Sequence, residues 1–464
     1  MYASSLIEAV RCHPGAGAPA PAGAEPVPLR EVLEARLTDP RKRRGIRHSL
    51  VSLVSVLVAG VACGYSSVLA IAGAAAGWDQ EVLAAHGTRR NPVTGDYEPP
   101  SASTLGRLPA LLDADELEAG LTAWLAPAAL DPRLAARITA RAAGTKAGGA
   151  KKKKKRRREP PAGEALREVR ADGWFRAAPG HPWLDPDVTG DPRHRPARPA
   201  VGVDGKERKL AKAGGKKKVH LLGAITHGTG LVIGQDKVAK AGKANEVTHF
   251  RPLLGPLPLE DVLITADAMQ ATRENARWLT EEKQAHYLVP VLGNQPGLYA
   301  ALDALDWEST PVTAATSEIS RGRIETRTIR VLPAPAGPGF PGARQAILLE
   351  RYVTSKKNGR WAMRNCEAVL YITSLDSSQA TPADLLAHIR GHWTIEHLHW
   401  LRDTVWHEDK STIRTGNAPQ VISAITNLVI TLFRLQGVTR ITEETRRNAQ
   451  NPSRPLQLLA LRPG

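Results

Sequence analysis

Apolar residues recur at helical spacing in three stretches of the first part of the chain: Leu29–Leu37, Leu50–Ala76 and Leu105–Leu125. A repeat near one turn predicts helices that each bury one stripe, so residues from about 30 to 125 read as a compact helical unit. Hydroxyls in Pro100-Ser-Ala-Ser-Thr104 stand where the third stretch needs an N-cap. From residue 199 the period shortens. Pro199–Asp204, Val219–Thr226, Leu231–Val238, Val262–Asp267 and His286–Leu292 read as strands, with helices at Glu246–Leu254 and Thr272–Gln284 between them. This order makes a mixed α/β layer. Residues 311–375 read as largely β, with strands at Arg321–Leu332, Gln345–Thr354 and Cys366–Ser374. Helix returns at Pro382–His392, continues through Glu396 to about Asp409, and resumes from an N-cap at Asn417 to Leu435. No internal repeat is evident.

The stretch Leu50–Trp78 carries no charge and is long enough to cross a bilayer. Small residues such as Ala59, Gly60 and Ala72–Ala76 dilute its hydrophobicity, and Gly64-Tyr-Ser-Ser67 offers a joint. Two short buried helices are therefore expected, and no membrane partner. The N-terminus, with Arg11 and a Gly/Pro/Ala-rich stretch after a short apolar segment, does not read as a secretory signal.

Charge changes the picture. In 464 residues, 63 Lys and Arg face 46 Asp and Glu, a formal net charge of +17. Such an excess calls for a polyanionic partner, nucleic acid first and an anionic membrane surface second. It is concentrated in Lys151–Arg158, in Lys206–Lys218 and in the C-terminal region 437–464, which reads as a basic tail. Residues 126–198 read as a basic, Pro/Gly-rich connector, because a block of like charges repels itself and gains little from folding. Its expected role is phosphate contact through counterion release. The three cysteines, Cys12, Cys63 and Cys366, lack paired spacing. That argues against a disulfide framework and a Cys-based zinc site, and it fits a reducing compartment such as the cytoplasm.

Three carboxylates stand out against this background. Asp204 closes the apolar run of Val201-Gly-Val-Asp-Gly-Lys206, and Asp267 closes the stronger run of Val262-Leu-Ile-Thr-Ala-Asp267. Glu396 lies in a helix pattern, Gly391-His-Trp-Thr-Ile-Glu396. Two aspartates at strand ends and a helix-borne glutamate can converge on hard cations such as Mg²⁺. Paired metals of that kind drive in-line displacement at phosphorus. Each acid also has a simpler role open to it, since an aspartate at a strand end often forms a turn or caps a helix.

Ordered motifs extend beyond the acids: Asp39-Pro-Arg-Lys-Arg-Arg-Gly45, Pro100-Ser-Ala-Ser-Thr-Leu-Gly-Arg107, Val203-Asp-Gly-Lys206, Lys243-Ala-Asn-Glu-Val247 and Asp267-Ala-Met269. Gly293-Asn-Gln295, Gly322-Arg-Ile-Glu-Thr-Arg327, Arg390-Gly-His-Trp-Thr-Ile-Glu396, Glu408-Asp409 and Arg414-Thr-Gly-Asn-Ala418 follow. With these motifs the chain resembles bacterial insertion-sequence transposases of the DDE type, in the H-repeat-associated branch. The resemblance implies a helical N-terminal domain over 1–125 that binds DNA. It also implies a ribonuclease-H-like catalytic domain over 199–436, with a β-rich insertion at about 293–375. It implies that Asp204, Asp267 and Glu396 hold two Mg²⁺ or Mn²⁺ ions, which cleave strands at the element's terminal repeats and join the ends to target DNA. The implied protein works in the bacterial cytoplasm, near the nucleoid, as a homo-oligomer in a synaptic complex. A decayed or domesticated copy, acting only as a sequence-specific DNA-binding protein, is the alternative. The chain departs from the family pattern at Leu292, where a lysine is usual, in its long connector, and in Glu396-His-Leu-His-Trp400.

Further residues carry two readings each. Lys206 is placed to neutralise a scissile phosphate or to sit in solvent. Asn294 and Gln295, after a strand, bond bases or phosphates or cap a turn. Arg321, Arg323 and Arg327 fall at even offsets and share one strand face, which suits a DNA backbone or plain solvation. Arg414 and Asn417 are further DNA-contact candidates. Asp403, seven residues after Glu396, shares its side of the helix and either supports the metal ligands or forms an ion pair. His392, His397, His399 and His407 do not share a helical face and read as packing or phosphate contacts rather than metal ligands. Trp393 and Trp400 read as core residues.

Overall fold

The structure is a computed structural model and describes residues 27–44, 46–147, 189–213, 217–238, 246–320, 323–335, 339–357 and 360–463. The chain begins with α1 (Leu29–Arg36), α2 (Leu50–Ala62), α3 (Val68–Ala76) and α4 (Gln80–Ala85). A two-stranded ribbon, β1 (Arg89–Arg90) and β2 (Tyr97–Glu98), precedes α5 (Ala102–Leu111), α6 (Ala114–Ala129) and α7 (Pro132–Ala147). Every residue of α2 is buried, as expected of a helix with no polar face. The apolar run Leu50–Trp78 is thus two helices of 13 and 9 residues, each too short to span a bilayer. Side-chain oxygens start these helices: Ser49 accepts from the Ser52 amide, Ser67 from Ala70 and Ser101 from Thr104. Asp113 does the same for α6, which splits the expected helix Leu105–Leu125 in two.

Nine strands form one mixed sheet. They are β3 (Ala200–Ala213), β4 (Lys217–Thr226), β5 (Val232–Lys237), β6 (Leu263–Ala266), β7 (His286–Pro290), β8 (Ala314–Ser320), β9 (Arg323–Pro333), β10 (Gln345–Lys357) and β11 (Arg360–Thr373). Their order across the sheet is β5-β4-β3-β6-β7-β11-β10-β9-β8. The first three strands are antiparallel neighbours, whereas β6 and β7 run parallel to β3. That is the ribonuclease-H-like arrangement. Between these strands lie α8 (Glu246–Leu254), α9 (Arg273–Arg277), which continues as a wider helical turn to Glu282, and α10 (Pro296–Asp303). The later β segment is an antiparallel meander that joins the same sheet where β11 pairs with β7. Strand β8 escapes a sequence reading because Ala314-Ala-Thr-Ser-Glu-Ile-Ser320 is small and polar, as an edge strand can be.

Successive residues of β6 divide between two cores. Ile264 and Ala266 face the larger cluster, which runs from Leu29 to Leu459, and Leu263 faces a smaller one with Leu385, Leu386 and Ile389. The helical unit therefore shares its core with one face of the sheet. Four more helices complete the fold: α11 (Pro382–Gly391), α12 (Trp393–Val405), α13 (Ala418–Leu435) and α14 (Ile441–Gln450), followed by the short α15 (Leu456–Leu459). The helix expected to reach about Asp409 ends instead at Val405, and His407 adopts a left-handed backbone with φ 52° that turns the chain. Helix α13 is the one described helix long and apolar enough to cross a membrane, and 89% of it is buried inside the protein.

Two regions differ from expectation. The connector 126–198 opens with the docked helix α7, whose Leu134 and Ile138 are buried and whose Arg141 bonds the Leu435 carbonyl. The basic run Lys151–Arg158 lies outside the described residues. Of the expected tail 437–464, the described residues 437–463 are folded: Asn448 donates to the Ala62 carbonyl, and the Leu29 amide to that of Leu461. Buried Ile441, Leu458 and Leu459 drive this docking.

Helix α13 anchors the shared core through the fully buried Phe433. Phe433→Ala is expected to destabilise the protein by about 3–5 kcal/mol, measured as a shift in the denaturant midpoint at constant m-value.

Candidate active site

The parallel ladder between β3 and β6 sets Val203 opposite Ala266. The next residue in each is an aspartate, so Asp204 and Asp267 emerge as neighbours where this ladder stops. Asp267 follows the last residue of β6, whereas β3 does not end at Asp204, as the sequence pattern suggests, but runs on to Ala213 against β4. One Asp204 carboxylate oxygen accepts the Gly205 amide at 2.8 Å. Asp267 accepts the Gln270 amide at 3.3 Å and so caps the turn that leaves the sheet. The capping role and the convergence with Asp204 coexist in one residue.

Helix α12 brings in the glutamate. It buries Ile395, Leu398, Leu401 and Arg402. The stripe left outside contains Trp393, Glu396, His397 and Trp400. Glu396 makes no hydrogen bond or ion pair among the described residues, and its charge acts on Asp204. The same helix sets His399 Nδ1 3.7 Å from an Asp204 oxygen.

A fourth acid completes the group. Glu246, the first residue of α8, pairs with His220 at 2.6 Å, and its field reaches both aspartates. Gly205 makes room for it, since a Cβ there would collide with the Glu246 carboxylate and stand 2.5 Å from His220 Nε2. Burial pushes the Asp204 carboxyl up to about 6, and repulsion from Asp267, Glu246 and Glu396 adds to the rise. Burial also raises Asp267, again with a contribution from Glu246. Oxygen donors that destabilise one another in this way fit hard divalent cations. Among the described residues, however, no three His, Cys, Asp or Glu side chains stand at the spacing of a closed metal site.

Comparison with known proteins agrees with this architecture. Residues 180–432 match the family profile described as "Transposase DDE domain", and residues 32–125 match "DDE_Tnp_1-associated". The chain belongs to the DDE transposase family. It is 34% identical to "Putative transposase YncI" of Escherichia coli O157:H7, over 50% of this chain and 61% of that protein. It is 29% identical to "H repeat-associated putative transposase YhhI" of Escherichia coli strain K12, over 50% of this chain and 63% of that one. These relatives put the chain in the H-repeat-associated branch, and it matches less than two thirds of their length. The piggyBac transposase, in a synaptic complex with hairpin DNA, is a distant structural likeness at 12% identity and TM-score 0.32, covering 56% of this chain and 53% of that one.

Several side chains expected to touch DNA are engaged within the protein. Lys206 is buried, 2.7 Å from Asp403 and 3.5 Å from Asp409. Asp403 is therefore an ion-pair partner of the lysine beside Asp204. Asn294 donates to the Ala268 carbonyl at 2.6 Å and ties the loop after β7 to the turn that Asp267 caps. Gln295 begins α10 without a side-chain cap. Arg327 is buried against Glu325 at 2.6 Å and Glu318 at 3.5 Å, so it does not share an open basic face with the half-exposed Arg323. Arg321 lies outside the described residues. Asn417 gives its amide to the Leu112 carbonyl rather than capping α13. Arg414 remains exposed.

Trp393 and Trp400 are not core residues: they are 44% and 53% exposed, because α12 turns its other side inward. Trp393 lies over the guanidinium groups of Arg327 and Arg351, and Trp400 stacks on His397. Glu246 was not singled out from the sequence, and His399, read there as a packing or phosphate contact, lies instead beside Asp204. The motif Lys243–Val247 contained Glu246, but spacing alone could not show that its helix starts beside the two aspartates.

Beneath the acids runs a hydrogen-bonded histidine chain. Thr265, two residues before Asp267, meets His227 Nε2 at 2.9 Å and His392 Nδ1 at 3.0 Å. His388 packs 6.1 Å from His227, ring centre to ring centre. Burial holds His227 well below its ordinary value and lowers His388 and His392 to about 4. At His388 and His392 the unfolded chain binds protons below about 6.5 and the folded chain does not until about 4. Stability is therefore complete above that window and falls as pH drops through it. The protein is expected to lose on the order of 2 kcal/mol for each of His388 and His392 between pH 6.5 and 4. His388→Gln should flatten the denaturation midpoint across this range by one histidine's share.

Proposed function

We propose that the chain is an active DNA transposase, which binds the ends of its element and carries out divalent-metal-dependent strand cleavage and transfer. One observation carries the reading: two aspartates stand side by side where the parallel β3–β6 ladder stops, faced by an unpaired glutamate, and burial and like charge together raise Asp204. Asp204, Asp267 and Glu396 would hold the metal, with Glu246 near enough to tune the aspartates. Mg²⁺ or Mn²⁺, as two ions by family resemblance, would supply Lewis-acid activation of the attacking oxygen and stabilisation of the leaving one. The protein's own contribution is placement. The Gly205 amide orients Asp204, the turn at Gln270 orients Asp267, and the packed face of α12 sets the angle of Glu396.

Double-stranded DNA is the proposed partner, both as terminal repeats and as target, with residues 1–125 contributing to end recognition. The net charge supports a polyanionic substrate. A homo-oligomer at paired ends and action in the bacterial cytoplasm belong to the same reading.

Purified protein with Mg²⁺ or Mn²⁺ should nick DNA at its own element ends and stop when the metal is chelated. Asp204→Asn, Asp267→Asn and Glu396→Gln should each bring nicking below detection while a gel-shift assay still finds DNA bound. Normal cutting by all three variants would overturn the assignment.

A further inference from the structure

Two motifs that the acidic group leaves unused meet elsewhere on the surface. Pro100–Arg107 leads through α5, and Arg414–Ala418 leads into α13. At Gly416 the backbone is left-handed, with φ +53°, and a Cβ there would lie 2.5 Å from the Ala110 carbonyl oxygen. The neighbouring Asn417 amide donates to the Leu112 carbonyl at 2.9 Å. Residues 411–417 are thereby clamped along the end of α5.

Beside this clamp lies a cleft of about 850 Å³. Arg107, Lys410 and Arg414 line it, hydroxyls of Ser67, Thr412 and Thr415 are interspersed, and no carboxylate does. The side chains of these three cations make no hydrogen bond or ion pair among the described residues. The contrast with Lys206, Arg208, Arg327 and Arg402, all paired with carboxylates, is plain. Leu111, Ile413 and Ile422 add apolar wall. The segment bearing Lys410 is anchored to the catalytic sheet, because Asp409 pairs with Lys206, two residues from Asp204.

We propose that this cleft binds an unpaired strand of the DNA substrate. Convergent cations without counter-charges favour a polyanion, and the apolar wall suits sugar and base while the cations and hydroxyls take phosphates. A cavity of this size holds a ligand of one or two nucleotides rather than a duplex. The inference rests on the transposase reading above and adds where a strand lies relative to the acids.

The test measures binding of the full chain to twelve-nucleotide (dT)₁₂ and to a relaxed, covalently closed circular duplex, over a salt series. Arg107→Ala, Lys410→Ala and Arg414→Ala should each flatten the slope of log K against log salt for (dT)₁₂ by about 0.7, and the triple variant by about 2. Slopes for the closed duplex should stay at the wild-type value. Arg137→Ala, on the exposed side of α7, should leave both unchanged, and unchanged melting temperatures would show intact folding. Wild-type slopes in all three cleft variants would overturn the cleft proposal alone. An equal loss in Arg137→Ala would also overturn it, by reducing the effect to net charge. Failure of the wild type to bind any DNA would overturn the transposase reading with it.

Discussion

The pairing register of β3 with β6 is the constraint on which the site depends. Side chains alternate along a strand, so a slip of one residue would turn Asp204 to the opposite face and remove it from Asp267. The register is held by burial. Val201, Val203, Ile264 and Ala266 belong to the large core, and Leu263 to the small one, so a slipped strand would place both sets wrongly. Packing the apolar residues correctly and aligning the two aspartates are one event. A ladder of backbone bonds thus decides where the charges lie.

That arrangement has an electrostatic cost, which the surroundings offset. The acids face one another where the β3–β6 ladder stops, while the same side of β3 carries Lys206 and Arg208, engaged with Asp403 of α12 and with Asp409 and Glu408 just after it. Arg402 and Arg208 enclose Glu408, at 2.5 and 3.3 Å. Burial alone would raise the Glu408 carboxyl, but these guanidinium groups hold it down to about 2. Removing one partner of such a buried network is far more costly than the net value of the pair suggests, because it strands the other charge. The network therefore works as a brace that positions α12, and with it Glu396, over the sheet.

The helical unit is not an appendage to this sheet. Trp406 donates to the Val61 carbonyl, Gln235 to Glu118 and Gln420 to Asp115, so polar contacts reinforce the shared apolar core. Glu118 is partly buried, and desolvation raises its carboxyl to about 8 despite the bond from Gln235. A neutral acid at this junction can sit in the interior without a counter-ion. Motion of the helical unit relative to the strand ends would have to break this common core.

Much of the fold was legible because hydrophobic period is a local signal. The five core strands, the helices between them and the two-helix character of Leu50–Trp78 follow from which neighbours must be buried. Asp267 was legible as a strand end and Glu396 as a helix position, together with ordered family motifs, whereas Asp204 lies inside a strand that continues to Ala213, because the polar half of β3 carries no apolar pattern. Strand β8 was not, because an edge strand can be small and polar and leaves no periodic trace. The fates of Lys206, Arg327 and the two exposed tryptophans were not legible either. A sequence names a charged or aromatic side chain, but only tertiary packing decides which side of its element meets a partner. Glu246 and His399 join the site by the same rule. Local patterning determined which residues leave water; long-range pairing decided which charges then face one another, because that depends on register and helix rotation between segments far apart in the chain.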